Sequence, residues 1–225
     1  MLAANTPAGK PGLKTCSLRP AAIYGERDND VLPGILRVLD DGRSRFQVGP
    51  NTALFATTYA GNAADAHLLA AERLLAVGAG AAEEPGKEVA GEAFFVTNGA
   101  DMPFFTFCRA AWREAGDKTR FPEDVTVVPL WIAVVMAWIS ETVAWLRGAK
   151  PRITVASLRF TTMQRYYNID KARKRLGYEP AVEWDEGVRR GVRVRVPTYL
   201  TRWSALVCLV LACRVSGADL TGSLP

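Results

Sequence analysis

The sequence predicts an α/β fold built on a parallel sheet, and three observations predict it. Thr15-Cys-Ser-Leu18 is a short run with strand character, closed at Arg19-Pro20 because a proline has no N–H to give a central ladder. Glu92-Ala-Phe-Phe-Val-Thr97 is a second such run, closed by the turn pair Asn98-Gly99. Between and after them lie segments whose apolar residues recur at helical spacing, and strands alternating with helices are the pattern of βαβ units. With 225 residues, 49% hydrophobic and 23% charged, the chain has the length for a domain or a domain and a half and the composition to bury a core.

Taken in order, Met1 to Asn5 reads as the last turn of a helix, and residues 7–12 as a loop rich in Pro and Gly. The chain leaves the sheet at Pro20 and breaks again at Gly25. Such a strand end, at the carboxyl edge of an open α/β sheet, is where these folds bind ligands. Glu26 to Asp30 is a polar loop. Val31 to Leu39 is a helix, apolar at Leu32, Ile35, Leu36 and Leu39, closed by Asp41-Gly42. Arg45 to Gly49 makes a short strand. Asn51 to Tyr59 is strand and loop leading to Asn62, which has the chemistry of an N-cap for a helix over Ala63 to Val77. Gly78 to Gly91 is a small-residue, acidic loop. Pro103 to Ala115 is a helix with Phe104, Phe107, Cys108 and Ala111 on its core side, ended by Gly116. Pro151 to Phe160 reads as a loop into a strand. Asp170 caps a basic helix over Lys171 to Leu176 that stops at Gly177, and a last short helix begins in Val182 to Val188.

Val127 to Leu146 is different in kind, being apolar nearly all round. It has the roughly 20 residues a membrane span needs, yet it starts with Pro129 and carries Ser140, Glu141 and Thr142, and a glutamate in hydrocarbon is costly. Trp131, Trp138 and Trp145 are spaced by seven and share one helix face. That favours a helix lying in a membrane interface, or lining an apolar pocket, over a span; plain core is the third reading.

The net charge is +5, with Lys171, Arg173, Lys174, Arg175, Arg189, Arg190, Arg193 and Arg195 gathered late in the chain. They suit an anionic partner, nucleic acid or an acidic membrane surface, but read first as a solvated helix face; no aromatic base-stacking set accompanies them, so nucleic acid is not an expected partner. Cys16, Cys108, Cys208 and Cys213 show no paired spacing and suit reduced thiols. The single histidine, His67, excludes a histidine metal cluster and reads as bonded to nearby backbone. The amino terminus has no basic region followed by an apolar run and does not read as a signal peptide.

Leu18-Arg-Pro-x-x-x-Tyr24-Gly25 resembles the strand and loop after the catalytic helix of extended short-chain dehydrogenases. Added to Asn62, Ala66-His67, the Phe94-Phe-Val-Thr-Asn98 strand and turn, and Lys171-Ala-x-x-x-Leu-Gly-Tyr-x-Pro180, it is similar to the 3β-hydroxysteroid dehydrogenase family and its sterol-4α-carboxylate 3-dehydrogenase branch. The resemblance runs from about Leu13 to Val192. It implies an incomplete Rossmann-type fold, holding the last sheet strands and the substrate-binding subdomain over 1–192, with an unrelated tail over 193–225. It implies NAD or NADP as cofactor, with Pro20, Ala21, Ala22 and Ile23 lining the nicotinamide side and Tyr24 nearby. It also implies a sterol or steroid substrate in a pocket shaped by Asn51 to Asn62 and the aromatic segment from Val127. The family's setting implies the cytosolic face of the endoplasmic reticulum membrane or a lipid droplet, and otherwise the cytoplasm; the oligomeric state is left open.

The family's proton exchange uses a Tyr-x-x-x-Lys pair on one helix face, the lysine lowering the tyrosine pKa. The one such spacing here, Tyr167 with Lys171, is rejected because Asp170 reads as a helix cap between them and because the pair follows the Leu-Arg-Pro strand. Gly78-Ala-Gly80-Ala-Ala-Glu83 is no dinucleotide turn, since it follows a helix and ends in glutamate. The expectation is therefore a substrate-side portion of a dehydrogenase that has no activity alone. The alternatives are a non-catalytic binding or membrane-associating remnant, and a nucleotide-sugar epimerase or reductase of the same superfamily.

Overall fold

The computed structural model of the chain describes residues 5–6, 10, 12–149, 151 and 153–194. The tail beyond 194, with Arg195, Cys208, Cys213 and its apolar run, lies outside the described residues, as does most of the turn expected at the amino terminus.

In chain order the elements are β1 (Ser17–Pro20), β2 (Ala22–Tyr24), α1 (Val31–Asp40), β3 (Phe46–Val48), β4 (Leu54–Phe55), β5 (Thr57–Tyr59) and α2 (Ala60–Gly78). Then come β6 (Ala93–Val96), β7 (Met102–Pro103), α3 (Phe104–Glu114), β8 (Thr126–Val128), α4 (Leu130–Leu146), α5 (Val155–Thr162) and α6 (Asp170–Leu176), and a helix over 184–194, α7. The pairs β1–β6, β2–β5 and β3–β8 are parallel and β4–β7 is antiparallel. The α/β class with parallel ladders is as the sequence predicts.

Pro20 is not excluded from the ladder. It is the last residue of β1, opposite Val96, and the next N–H, that of Ala21, reaches the Val96 carbonyl at 3.2 Å. At Ala21 the strand line bends and changes partner, from β6 to β5.

Three further expectations are corrected. The helix expected from Ala63 begins at Ala60, so Asn62 sits inside its first turn, fully buried, and caps nothing. The described residues of 151–160 form no strand: Thr154 accepts from the Ser157 N–H, the Ser157 hydroxyl accepts from the Thr154 N–H, and this reciprocal cap starts α5 despite the β-branched residues around it. Asp170 is the first residue of α6 rather than its cap; its N–H donates to the Asn168 side chain at 2.6 Å. The apolar segment is likewise split, Thr126–Val128 pairing with β3 and Pro129 turning the chain into α4.

Three apolar clusters hold these elements. Leu32, Leu36, Phe55, Phe107 and Trp112 form the first, around Tyr24 and closed by Val188 of α7; the Trp112 indole N–H also donates to the Ile35 carbonyl at 2.8 Å. The second packs Ala66 and Ala70 of α2 and Ala172 and Leu176 of α6 onto Phe94 and Val96 of β6. Gly177 ends α6 at φ 73°, a left-handed residue that lets Tyr178 turn inward. In the third, Ala133 and Ala137 of α4 meet Leu158 of α5.

Helix α7 docks through small residues. A Cβ on Gly191 would lie 3.0 Å from the Gly25 carbonyl oxygen and inside contact distance of the Leu32 side chain. Backbone cannot yield as a side-chain tip can, so overpacking there costs about 1–3 kcal/mol. Gly191→Ala is expected to lower the urea midpoint by that amount of stability with an unchanged denaturant slope.

Candidate functional site

The site segment is the place where β1 passes into β2. The Thr58 hydroxyl accepts from the Ala21 N–H at 2.9 Å and donates to the Val96 carbonyl at 2.8 Å, so one side chain bridges the two ladders where they part. Pro20, Ala21 and Ala22 are half-buried and Ile23 is 45% exposed. The side chains presented at the strand ends are therefore small and apolar at Ala21 and Ala22, with Ile23 turned outward. Among the described residues no glycine-rich strand–turn–helix offers backbone amides to a pyrophosphate; the glycines at 78 and 80 lie at the carboxyl end of α2.

Tyr24, expected near this surface, is turned into the core. It is fully buried between Tyr59 and Phe107, its hydroxyl donates to the Trp184 carbonyl at 2.9 Å, and burial pushes its pKa well up. It belongs to a polar network that the sequence did not signal. The Asn98 side-chain oxygen accepts from the Tyr59 N–H at 2.7 Å and from the Asn62 amide at 3.1 Å. Asn62 in turn donates to the Val182 carbonyl at 2.8 Å and accepts from the Val182 N–H at 3.0 Å. Tyr178 donates to the Thr97 carbonyl at 2.9 Å, and burial raises its pKa to about 12.

Beside β4 lies a second feature that the sequence reading missed. The Arg165 backbone bridges to β4, its N–H donating to the Leu54 carbonyl and its carbonyl accepting from the Ala56 N–H. The Arg165 guanidinium lies over the rings of Phe160 and Phe55, at 3.5 and 4.9 Å from their centroids. Phe104 completes the aromatic group, edge-to-face with both. Nothing in the spacing of Gln164-Arg-Tyr-Tyr167 announces this; the signal needed is the pairing of residue 165 with residue 55.

Tyr167 lies before α6 and stacks on Phe95 at 4.6 Å, whereas Lys171 lies within α6 and donates to Glu92 at 2.7 Å. The late basic residues are largely matched by acids: Arg173 with Glu179, Arg175 with Glu92, Arg189 with Asp185 and Arg190 with Glu186. His67 sets its Nδ1 2.7 Å from the Ala63 carbonyl.

Helix α4 is packed inside out. Its buried residues are Ala133, Ala137 and Ala144, while Trp131, Trp138 and Trp145 are 69%, 66% and 80% exposed. The plain-core reading of the three tryptophans is overturned. Among the described residues no helix is long and apolar enough to cross a membrane.

The profile of the 3-beta hydroxysteroid dehydrogenase/isomerase family matches residues 1–125. The chain belongs to this family. Within it, the sterol-4-alpha-carboxylate 3-dehydrogenase (decarboxylating) of Saccharomyces cerevisiae is 38% identical over 190 residues, 84% of this chain and 51% of the relative. The Schizosaccharomyces pombe protein of the same description is 38% identical over 183 residues, 81% of this chain and 51% of the relative. An Arabidopsis thaliana 3beta-hydroxysteroid-dehydrogenase/decarboxylase is 31% identical over 188 residues, 82% of this chain and 32% of its own. The chain spans about half the length of the fungal relatives it matches. Among solved structures, the UDP-glucose 4-epimerase of Thermotoga maritima superposes with a TM-score of 0.51 at 17% identity, over 83% of this chain and 47% of that one. That likeness shows the shared short-chain dehydrogenase fold, and half coverage agrees with part of it.

For this family member, the Asn62–Val182 pair is the joint between α2 and the segment leading into α7. Asn62→Leu keeps the volume, leaves the Val182 N–H unpaired and leaves the Val182 carbonyl only the longer 3.3 Å bond from the Asn98 amide, which is expected to cost about 1–3 kcal/mol. Urea unfolding checks it; a loss under about 0.5 kcal/mol, the size of a neutral surface change, would contradict the buried joint.

Proposed function

We propose that the chain carries the substrate side of an NAD(P)-dependent 3β-hydroxysteroid or sterol-4α-carboxylate 3-dehydrogenase. The observation that carries this is the 38% identity to a sterol-4-alpha-carboxylate 3-dehydrogenase over 84% of the chain. The nicotinamide, when bound, supplies the acceptor for the hydride leaving the sterol 3-position. Pro20, Ala21, Ala22 and Ile23 face it from the strand ends, with Thr58 holding the bend that presents them. Oxidation at the 3-position makes the neighbouring 4-carboxylate a β-keto acid, and its loss follows because the ketone stabilises the resulting carbanion. The nucleotide-sugar alternative has only the shared fold in its favour.

The proposed location is the cytosolic face of the endoplasmic reticulum membrane or a lipid droplet, with α4 lying in the interface. An α-helix of 17 residues is about 25 Å long, short of the roughly 30 Å hydrocarbon core, whereas outward tryptophans suit the headgroup boundary. A substrate as apolar as a sterol is concentrated in that layer.

Two measurements test these proposals. The purified chain is expected to bind a 3β-hydroxysterol without oxidising it when NAD is added, because Tyr167 and Lys171 stand on different elements. NADH formation would overturn the inactivity, and failure to bind sterol would overturn the substrate. In flotation with phosphatidylcholine vesicles the chain is expected to rise with the lipid. Replacing Trp131, Trp138 and Trp145 by serine is expected to weaken that partition by more than about tenfold, given the area each indole buries. Unchanged flotation would remove α4 as the contact.

A further inference from the structure

Arg165 is held differently from the paired late cations Arg173, Arg175, Arg189 and Arg190. No ion pair among the described residues includes it. One of its five N–H groups donates to the Phe160 carbonyl at 3.1 Å, and its buried Nε has no hydrogen-bond partner. The guanidinium is nonetheless held in place. Its main chain is bonded on both sides to β4, and Phe160 and Phe55 lie against its face. Stacking on aromatic rings occupies the face of the cation and leaves the in-plane donors free, in the fork that matches a carboxylate. A guanidinium positioned by its neighbours, with Nη donors left over and no carboxylate paired to it among the described residues, is suited to an anion that is not part of the protein.

The surroundings specify the rest of that ligand. Phe160 is 45% exposed and Phe104 half-buried, with centroids 6.1 Å apart, so the cation stands at the edge of an apolar aromatic wall. The β4 strand it is bonded to continues into β5, whose Thr58 holds Ala21 at the strand ends. An apolar body with one carboxylate, lying between the strand ends and this wall, would satisfy both.

We propose that Arg165 is the carboxylate anchor of the sterol site, pairing its remaining Nη donors with the carboxylate while the rings lie against Phe160 and Phe104. This rests on the sterol reading above. It makes Arg165 a specificity residue that separates a sterol carboxylic acid from a neutral sterol of the same shape.

The test is equilibrium binding to the purified full chain, followed by tryptophan fluorescence. Two ligands are compared, a 3β-hydroxysterol bearing a 4α-carboxylate and the same sterol bearing a 4α-methyl group. The chain is expected to prefer the carboxylate by at least about tenfold, the scale of one charge-assisted hydrogen-bonded pair. Arg165→Met is expected to abolish the preference while keeping affinity for the methyl sterol. Arg165→Lys, a point charge without the fork, is expected to keep part of it. Preference retained in Arg165→Met would overturn the anchor. Equal binding of both sterols by the unaltered chain would also overturn it and leave the sterol reading standing; binding of neither would overturn both. A purely structural role for Arg165 would move the unfolding midpoint of both variants without changing the ratio of the two affinities.

Discussion

Two buried amides, those of Asn62 and Asn98, hold together parts of the chain that lie far apart in sequence. Parallel strands cannot be joined by tight turns, so each ladder depends on what packs beside it. Asn98 sits just past the end of β6 and takes the N–H of Tyr59 at the start of α2; its own N–H donates to the Thr57 carbonyl. Asn62 then treats Val182 as a sheet neighbour would, accepting its N–H and donating to its carbonyl. A hydrophobic side chain at either position could fill the volume but not satisfy these groups, and a buried amide left unpaired costs more than a made one contributes. The two amides therefore determine a geometry: they set where α7 begins, and α7 closes the apolar cluster around Tyr24.

The sheet and its helices were legible in the sequence because period is a local property. Leu32, Ile35 and Leu36 recur on one face and are buried; Phe94 and Val96 alternate inward. The bend at Ala21 was legible through Pro20, though not the reason for it, since the residue that bridges the ladders is Thr58, thirty-seven positions away. Asn62 shows the opposite case. Asparagine before a helix has strong capping chemistry, and that local preference gave the wrong role because a long-range partner at Val182 outweighed it. In α5, the Thr154–Ser157 cap was legible in principle, but Val155 and Ile153 argued for a strand and the cap decided.

Helix α4 escaped a secure reading for a different reason. A segment apolar on all sides has no moment to say which face turns inward. The structure resolves this by size: Ala133 and Ala137 face α5, β3 and β8, letting the helix approach closely, and the tryptophans with Val135, Ile139 and Val143 are left outside. In water such a surface is a liability, and a lipid interface removes it without requiring the helix to cross.

Arg165 and α4 stand apart from the elements around them. Arg175 and Arg190 face carboxylates, the buried Asn62 amide is satisfied, and the large apolar side chains of the first cluster turn inward. Local inconsistencies that a fold tolerates mark the places where something other than folding selects the residue. Helix α5 touches both: Leu158 packs against α4 and, two residues on and so on the opposite side of the helix, Phe160 presents its ring to Arg165 and Phe55. Under the proposed reading short helix α5 serves both features, one side holding the helix proposed to lie in the interface and the other holding the ring beneath the cation proposed to anchor the ligand.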